Sequence, residues 1–252
     1  MFNLGLIGKN LKYSFSKKYF KLKLKKENLN NFKYELYELE SLNDFGSVLK
    51  KKNIIGLNVT SPFKESIIQY LDQIDDISKH TESVNTIFFN KKNNKLTGFN
   101  TDVHGFEKSL DLFLPQSKIK GIVLGNGGVS KSIKYVLRKK NIEFITVSRN
   151  TNENEIISYN NCEKYLQTHK LIINTTILGG GKYSDKAPKI NYKLLNEKNY
   201  MFDVAYNPKE TLFLKKGKKM GAKTMNGELM LKLQAELSFN IWFKELKKNN
   251  EV

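Results

Sequence analysis

The stretch NVTSPFK, residues 58–64, sets a lysine just beyond an apolar β-branched run (Ile54, Ile55, Val59) and a Thr-Ser-Pro turn. That places Lys64 past a strand's carboxyl end, where ligands bind in open α/β sheets. The chain holds 43 Lys and Arg residues, only two of them arginines (Arg138 and Arg149), so position must single out a lysine that does chemistry. A second constellation is GNGGVS, residues 125–130. Gly125 and Gly127 occupy the first two glycine places of a dinucleotide fingerprint, where a side chain would clash with the tight turn or the pyrophosphate; the third place is Ser130. A strand before this turn and a helix after it would offer free N–H groups and a positive dipole end to phosphate. Beyond the next strand, Ser148-Arg149-Asn150-Thr151 contains no acid for ribose hydroxyls. It puts a planar, permanently charged guanidinium where a 2′-phosphate needs one, which favours NADP over NAD. An ordinary strand-to-helix turn and a solvated surface arginine are the plain structural alternatives.

The elements that must position these groups are legible as alternating periods. NLGLIG, YELYEL and IIGLNV read as strands, each followed by a segment of helical period. VNTIFF and KLTGF, separated by the turn NKKNN, read as a hairpin at the edge of the same sheet. After the helix DVHGFEKSLDLF, the strand IKGIVL, the helix VSKSIKYVLRKKN and the strand EFITVS form a second βαβ unit, continued by KLIINTT and YMFDVAY. GELMLKLQAELSFNIWFKELKK has the apolar spacing of one long amphipathic helix. The fold class is α/β in two parts.

Composition narrows the function. At 252 residues and 39% hydrophobic content the chain can build real cores. It has no apolar run of membrane-span length and opens directly on strand-like sequence, so a cytoplasmic enzyme is expected. One cysteine (Cys162) and three scattered histidines (His80, His104, His169) give no disulfide and no metal-ligand spacing. The net charge of +18 comes from lysines dispersed along the chain beside abundant Asn and Ile, not from a clustered basic patch, so no nucleic-acid partner is expected.

Eight segments in order resemble the shikimate dehydrogenase family: GLIGKNLKYSFSKKYF, GLNVTSPFKESI, SVNTIFF, GFNTDVHGF, GNGGVSKSI, INTTILGG, DVAYNPKETLFL and GELMLKLQAELSFNIW. The resemblance implies NADP-dependent reduction of 3-dehydroshikimate to shikimate in a cleft between two domains. These are an N-terminal mixed α/β substrate domain (1–103, with helix 227–248 returning to it) and a Rossmann-like NADP-binding domain (104–226). It implies that Ser14 and Ser16 hold the substrate carboxylate with Tyr206 nearby, and that Thr60, Asn85 and Gln234 bind the ring hydroxyls. Lys64 and Asp102 are then the catalytic pair. The ammonium stabilises and protonates the alkoxide formed by hydride addition to a ketone, and the carboxylate holds the lysine in place. For the cofactor the implied set is Gly125, Asn126, Gly127, Gly128, Val129, Ser148, Arg149, Asn150, Thr175 and Gly227, with no metal. The partners are small molecules, and a monomer or homodimer is expected. From the residues alone, helix capping (Ser16, Asp102), a turn (Thr60), a strand edge (Asn85) and a solvated helix position (Gln234) are the plain alternatives. Asn126 and Ser132 stand where the family has alanines, which lowers the expected cofactor affinity. VSRNTN departs from the family's Asn-Arg-Thr order, and Gly179-Gly180-Gly181 replaces a less flexible loop. Relatives that oxidise quinate, often with NAD, are the close alternative; Arg149 and the two serines argue against it.

Overall fold

The computed structural model describes residues 1–51, 53–115, 118–151 and 156–249. By its internal contacts the chain divides into two compact units, residues 1–101 with 234–252, and residues 102–233.

The first unit is built on β1 (Phe2–Gly8), β2 (Phe32–Glu38), β3 (Ile54–Val59), β4 (Gln73–Ile74), β5 (Thr86–Asn90) and β6 (Lys95–Phe99), in the order β2-β1-β3-β5-β6-β4. β1 runs parallel to β2 and β3, whereas β5 pairs antiparallel with β3 and β6. Every residue of β3 is buried, as expected of a central strand covered on both faces. One face carries Leu4, Leu6, Tyr34 and Ile55 against Phe20 of helix α1 (Ser16–Lys26) and Ala235, Phe239, Trp242 and Leu246 of the final helix. The other carries Ile7, Ile54, Leu57 and Val59 against Phe45 and Val48 of the short α2 (Phe45–Leu49) and against Phe63, Ile67 and Val84. A third short helix, α3 (Asp76–Thr81), precedes β5 and is capped by Asp75, whose Oδ1 accepts from Ser78 N at 2.8 Å.

Two expectations are corrected here. The β5–β6 hairpin is not the sheet edge, because the two-residue β4 pairs parallel with β6 outside it. A strand that short shows no period. In addition, β3 is followed by a turn and a 3-10 segment, Ser66–Tyr70, instead of an α-helix. Pro62 and the β-branched pair Ile67-Ile68 disfavour a regular helix there.

The second unit holds α4 (Asp102–Phe113), β7 (Gly121–Leu124), α5 (Gly128–Lys139), β8 (Phe144–Val147), β9 (Ile156–Ile157), α6 (Glu163–Leu166), β10 (Leu171–Asn174), β11 (Tyr200–Asp203), α7 (Leu212–Lys219) and β12 (Lys223–Asn226). Its sheet has the order β12-β11-β10-β7-β8-β9, all parallel. The chain winds outward from β7 to β9, then crosses back to β10 and winds the other way. The switch point lies between β7 and β10, and in a doubly wound sheet the crevice for a ligand opens at such a point. The last helix, α8 (Glu228–Lys248), is shared, since the division between the units falls after Leu233.

Candidate functional site

The carboxyl ends of β1 and β3 meet through short backbone bonds, Thr60 N to Ile7 O at 2.9 Å and Lys9 N to Ser61 O at 3.2 Å. Lys64 is held from both sides. Phe63, buried in the core, donates its N–H to Thr60 O at 3.0 Å, and the Lys64 carbonyl accepts from Val84 N at 2.8 Å. The backbone is thus pinned, and the side chain is half-buried. Ser14 Oγ accepts from Ser16 N at 3.2 Å. Helix α1 begins at Ser16 itself and has no side-chain cap at Phe15, so capping by the Ser16 hydroxyl is not what the structure contains. Tyr34, whose phenol donates to Asn58 Oδ1 at 2.8 Å, is buried and pushed well above its ordinary pKa by desolvation.

Asn85 and Gln234 are brought together, Asn85 Nδ2 donating to Gln234 Oε1 at 3.3 Å. Asn85 is 3% exposed, so it is not an outlying strand-edge group, and Gln234 is not simply a solvated helix residue. Around them lies a buried polar cluster that the sequence reading missed: Asn58, Thr86, Thr101 and Ser238. Thr101 N donates to Asn85 Oδ1 at 2.8 Å, and Thr86 and Ser238 hydroxyls meet at 2.7 Å. Asn58 Nδ2 reaches Ser238 Oγ at 3.1 Å while its Oδ1 accepts from Tyr34 at 2.8 Å. The available signal was a lone amide, Asn58, inside the apolar run IIGLNV, because a buried polar side chain must find partners. In the second unit Asp102 is buried as the first residue of α4, and Tyr206 is half-buried in the segment after β11.

The glycine turn sits at the switch point. Gly125, at the end of β7, has φ +109°, and a Cβ there would come within 2.6 Å of Thr175 Oγ1 at the end of β10. Thr175 Oγ1 itself donates to Leu124 O at 2.8 Å, so Gly125 and Thr175 are neighbours across the switch. Ser130 is fully buried and its Oγ donates to Gly125 O at 3.0 Å, which closes turn against helix where the fingerprint has a third glycine. Nothing lies within 4 Å of a Cβ built on Gly127, the N-cap of α5, and the first turn of α5 carries no acid. Gly128 and Val129 open that helix. This open, acid-free helix start fits a pyrophosphate. Asn126 is tied to Lys134 Nζ at 2.7 Å, so the residue replacing the family's alanine brings an ammonium to the turn. After β8, Ser148 Oγ accepts from Asn150 N at 3.3 Å and Arg149 is exposed between them. Gly227 allows a close approach: its Cβ would lie 2.1 Å from Val204 O, and its N–H donates to Ala205 O at 3.0 Å.

One further buried acid stands at the end of β11. Asp203 Oδ1 accepts from Asn174 Nδ2 and Ala205 N, both at 3.0 Å, and Oδ2 accepts from Thr211 Oγ1 at 2.5 Å. Burial outweighs these bonds and pushes its carboxyl up to about 6. Among the described residues no cluster of His, Cys, Asp and Glu has metal-site geometry, and no helix is long and apolar enough to cross a membrane.

The chain is similar in sequence and fold to known proteins. A family model of the shikimate dehydrogenase substrate binding domain matches residues 6–87. The shikimate dehydrogenase (NADP(+)) of Pelagibacter ubique is 37% identical, over 95% of this chain and 92% of its own. The crystal structure of shikimate dehydrogenase from Aquifex aeolicus superposes with a TM-score of 0.86 at 33% identity, covering 96% of this chain and 92% of that one. The Thermus thermophilus enzyme, solved with NADP(H) and shikimate, gives 0.83 at 26% identity over 96% and 93%. An alternating βαβ chain with a glycine turn at its switch point, and relatives this similar over nearly their whole length, establish that the chain belongs to the shikimate dehydrogenase family.

Proposed function

We propose that the chain catalyses the reversible NADP-linked reduction of 3-dehydroshikimate to shikimate, a step toward chorismate and the aromatic amino acids, as a cytoplasmic monomer or homodimer. Residues 1–103 with 227–248 form the substrate domain, and residues 104–226 the NADP domain. Ser14 and Ser16, with Tyr206 nearby, hold the carboxylate; Thr60, Asn85 and Gln234 hold the ring hydroxyls. Gly125, Asn126, Gly127, Gly128 and Val129 receive the pyrophosphate at the start of α5. Ser148, Arg149 and Asn150 take the 2′-phosphate, while Thr175 and Gly227 shape the remaining contact. When bound, the nicotinamide supplies or accepts the hydride. Lys64 Nζ donates the proton that quenches the developing alkoxide and takes it back in the oxidation direction. Asp102 orients that ammonium and balances its charge.

The observation that carries this reading is the polar strand-end set, from Thr60 and Lys64 through Asn85, in a chain 37% identical over 95% of its length to a shikimate dehydrogenase (NADP(+)). A spectrophotometric assay of shikimate oxidation, run in parallel with NADP and NAD and with quinate as competing substrate, tests it. Turnover of shikimate with NADP at the higher kcat/KM is expected. Preference for quinate with NAD would overturn it.

A further inference from the structure

The hydrogen-bond polarity of the buried cluster is fixed by one group whose direction cannot change, the backbone N–H of Thr101. It donates to Asn85 Oδ1 at 2.8 Å, so the Asn85 carboxamide can take only one of its two flips. Asn85 Nδ2 then faces outward as donor, to Thr101 Oγ1 at 2.9 Å and to Gln234 Oε1 at 3.3 Å. The Thr101 hydroxyl, with one proton to give, lies 3.1 Å from Asn85 Oδ1 and 3.3 Å from Gln234 Oε1. The oxygen of Gln234 is therefore committed to a protein donor, and any ligand that meets this side chain meets its N–H groups.

A second set of bonds holds the helix that carries Gln234. Ser238, one turn further along α8 and fully buried, reaches the Gln234 backbone carbonyl at 2.9 Å. At 2.7 Å the Thr86 and Ser238 hydroxyls bond each other, and the pair clasps α8 to β5. Asn58 Nδ2 adds a third contact to Ser238 Oγ at 3.1 Å.

We propose that Ser238 and Thr86 are positioning residues for the substrate: they seat the turn of α8 that carries Gln234, whose side-chain oxygen is already occupied by Asn85, so that the ring hydroxyl bound there acts as acceptor to its amide. The inference rests on the functional reading above and extends it to residues that touch no ligand. Shikimate is titrated calorimetrically into the cofactor-free protein, and NADP is titrated separately into the same preparations. Ser238→Ala and Thr86→Val should each weaken shikimate about tenfold, the size of one ordinary hydrogen bond, with NADP binding unchanged. The double variant should be little weaker than the worse single one, as for groups acting through one contact. A merely structural hydroxyl would lower the melting temperature and leave the shikimate Kd of the folded protein alone, which would overturn the proposal. Gln234→Glu keeps an oxygen for Asn85 and Thr101 but removes the amide donors, and Gln234 is half-buried, so this variant tests the polarity without emptying the core. It should weaken shikimate and its uncharged methyl ester alike, by about tenfold or more; unchanged ester affinity would overturn the donor assignment. Wild-type protein that binds NADP but neither shikimate nor the ester would bring down the functional reading itself, and the inference with it.

Discussion

Replacing Asp203 with Asn should make the protein more stable at neutral pH, and the gain should vanish in acid. The Asp203 carboxyl lies at about 6 in the folded chain against an ordinary value of 3.8, because burial disfavours its charge more than Thr211, Ala205 and Asn174 support it. A raised folded value means the native state holds the proton more tightly. The stability it contributes is complete below about pH 4 and is lost as pH rises through about 6. A shift of roughly two units corresponds to about 3 kcal/mol set against folding at pH 7. Asn removes the buried charge: Oδ1 can still accept from Asn174 and Ala205, while Nδ2 faces Thr211 Oγ1, whose hydroxyl turns from donor to acceptor. Tyr192, the titratable neighbour, is itself raised by burial and stays neutral in this window. Thermal midpoints of wild type and Asp203→Asn measured from pH 4 to pH 8 provide the assay. At about 2–4 °C per kcal/mol for a chain of this size, the variant should melt roughly 6–12 °C higher at pH 7–8. The two curves should converge near pH 4. A gap that is constant across pH, or a variant less stable at pH 7, would refute the argument that burial dominates at Asp203.

Two further outcomes concern ligand groups. Arg149→Ala should raise the KM for NADP far more than that for NAD, since the guanidinium is assigned to the 2′-phosphate; equal losses with both cofactors would remove that assignment. The double replacement of Ser14 and Ser16 by Ala should weaken shikimate by about 1 to 3 kcal/mol, the range for hydrogen bonds to a charged group, with NADP binding intact. Normal shikimate affinity in the folded double variant would remove the carboxylate assignment from these hydroxyls.

The strands and long helices were legible because their patterns are strong: the buried apolar runs of β3 and β7 and the stripe Ala235, Phe239, Trp242, Leu246 of α8 all follow from spacing. β4 was not, because two residues carry no period, and the segment after β3 was misread because Pro62 and Ile67-Ile68 break a helix that the apolar spacing alone suggests. The glycine turn was legible in its first two places, and Ser130 shows how the third is met by a hydroxyl bonded back to Gly125. The polar cluster around Asn85 was illegible for a different reason. Its members come from β2, β3, β5, the end of β6 and α8, so only the folded chain brings Tyr34, Asn58, Thr86, Thr101 and Ser238 into contact. Asp203 was hidden in the same way, its partners Asn174 and Thr211 being supplied from either side of it in sequence.

The central claim is that Lys64, alone among the chain's many lysines, moves the proton in an NADP-linked shikimate dehydrogenase. The direct measurement is kcat for shikimate oxidation with NADP by wild type, Lys64→Ala and, as a control, Lys218→Ala, whose exposed ammonium pairs only with Glu210 at 3.1 Å among the described contacts. Lys64→Ala should lower kcat by about 10² to 10⁴, the loss expected of a general acid-base group, with a much smaller change in shikimate Kd. Asp102→Asn should also be slow, and the double variant little worse than the worse single one. Lys218→Ala should be nearly silent. A folded Lys64→Ala protein that keeps near-normal kcat would contradict the account.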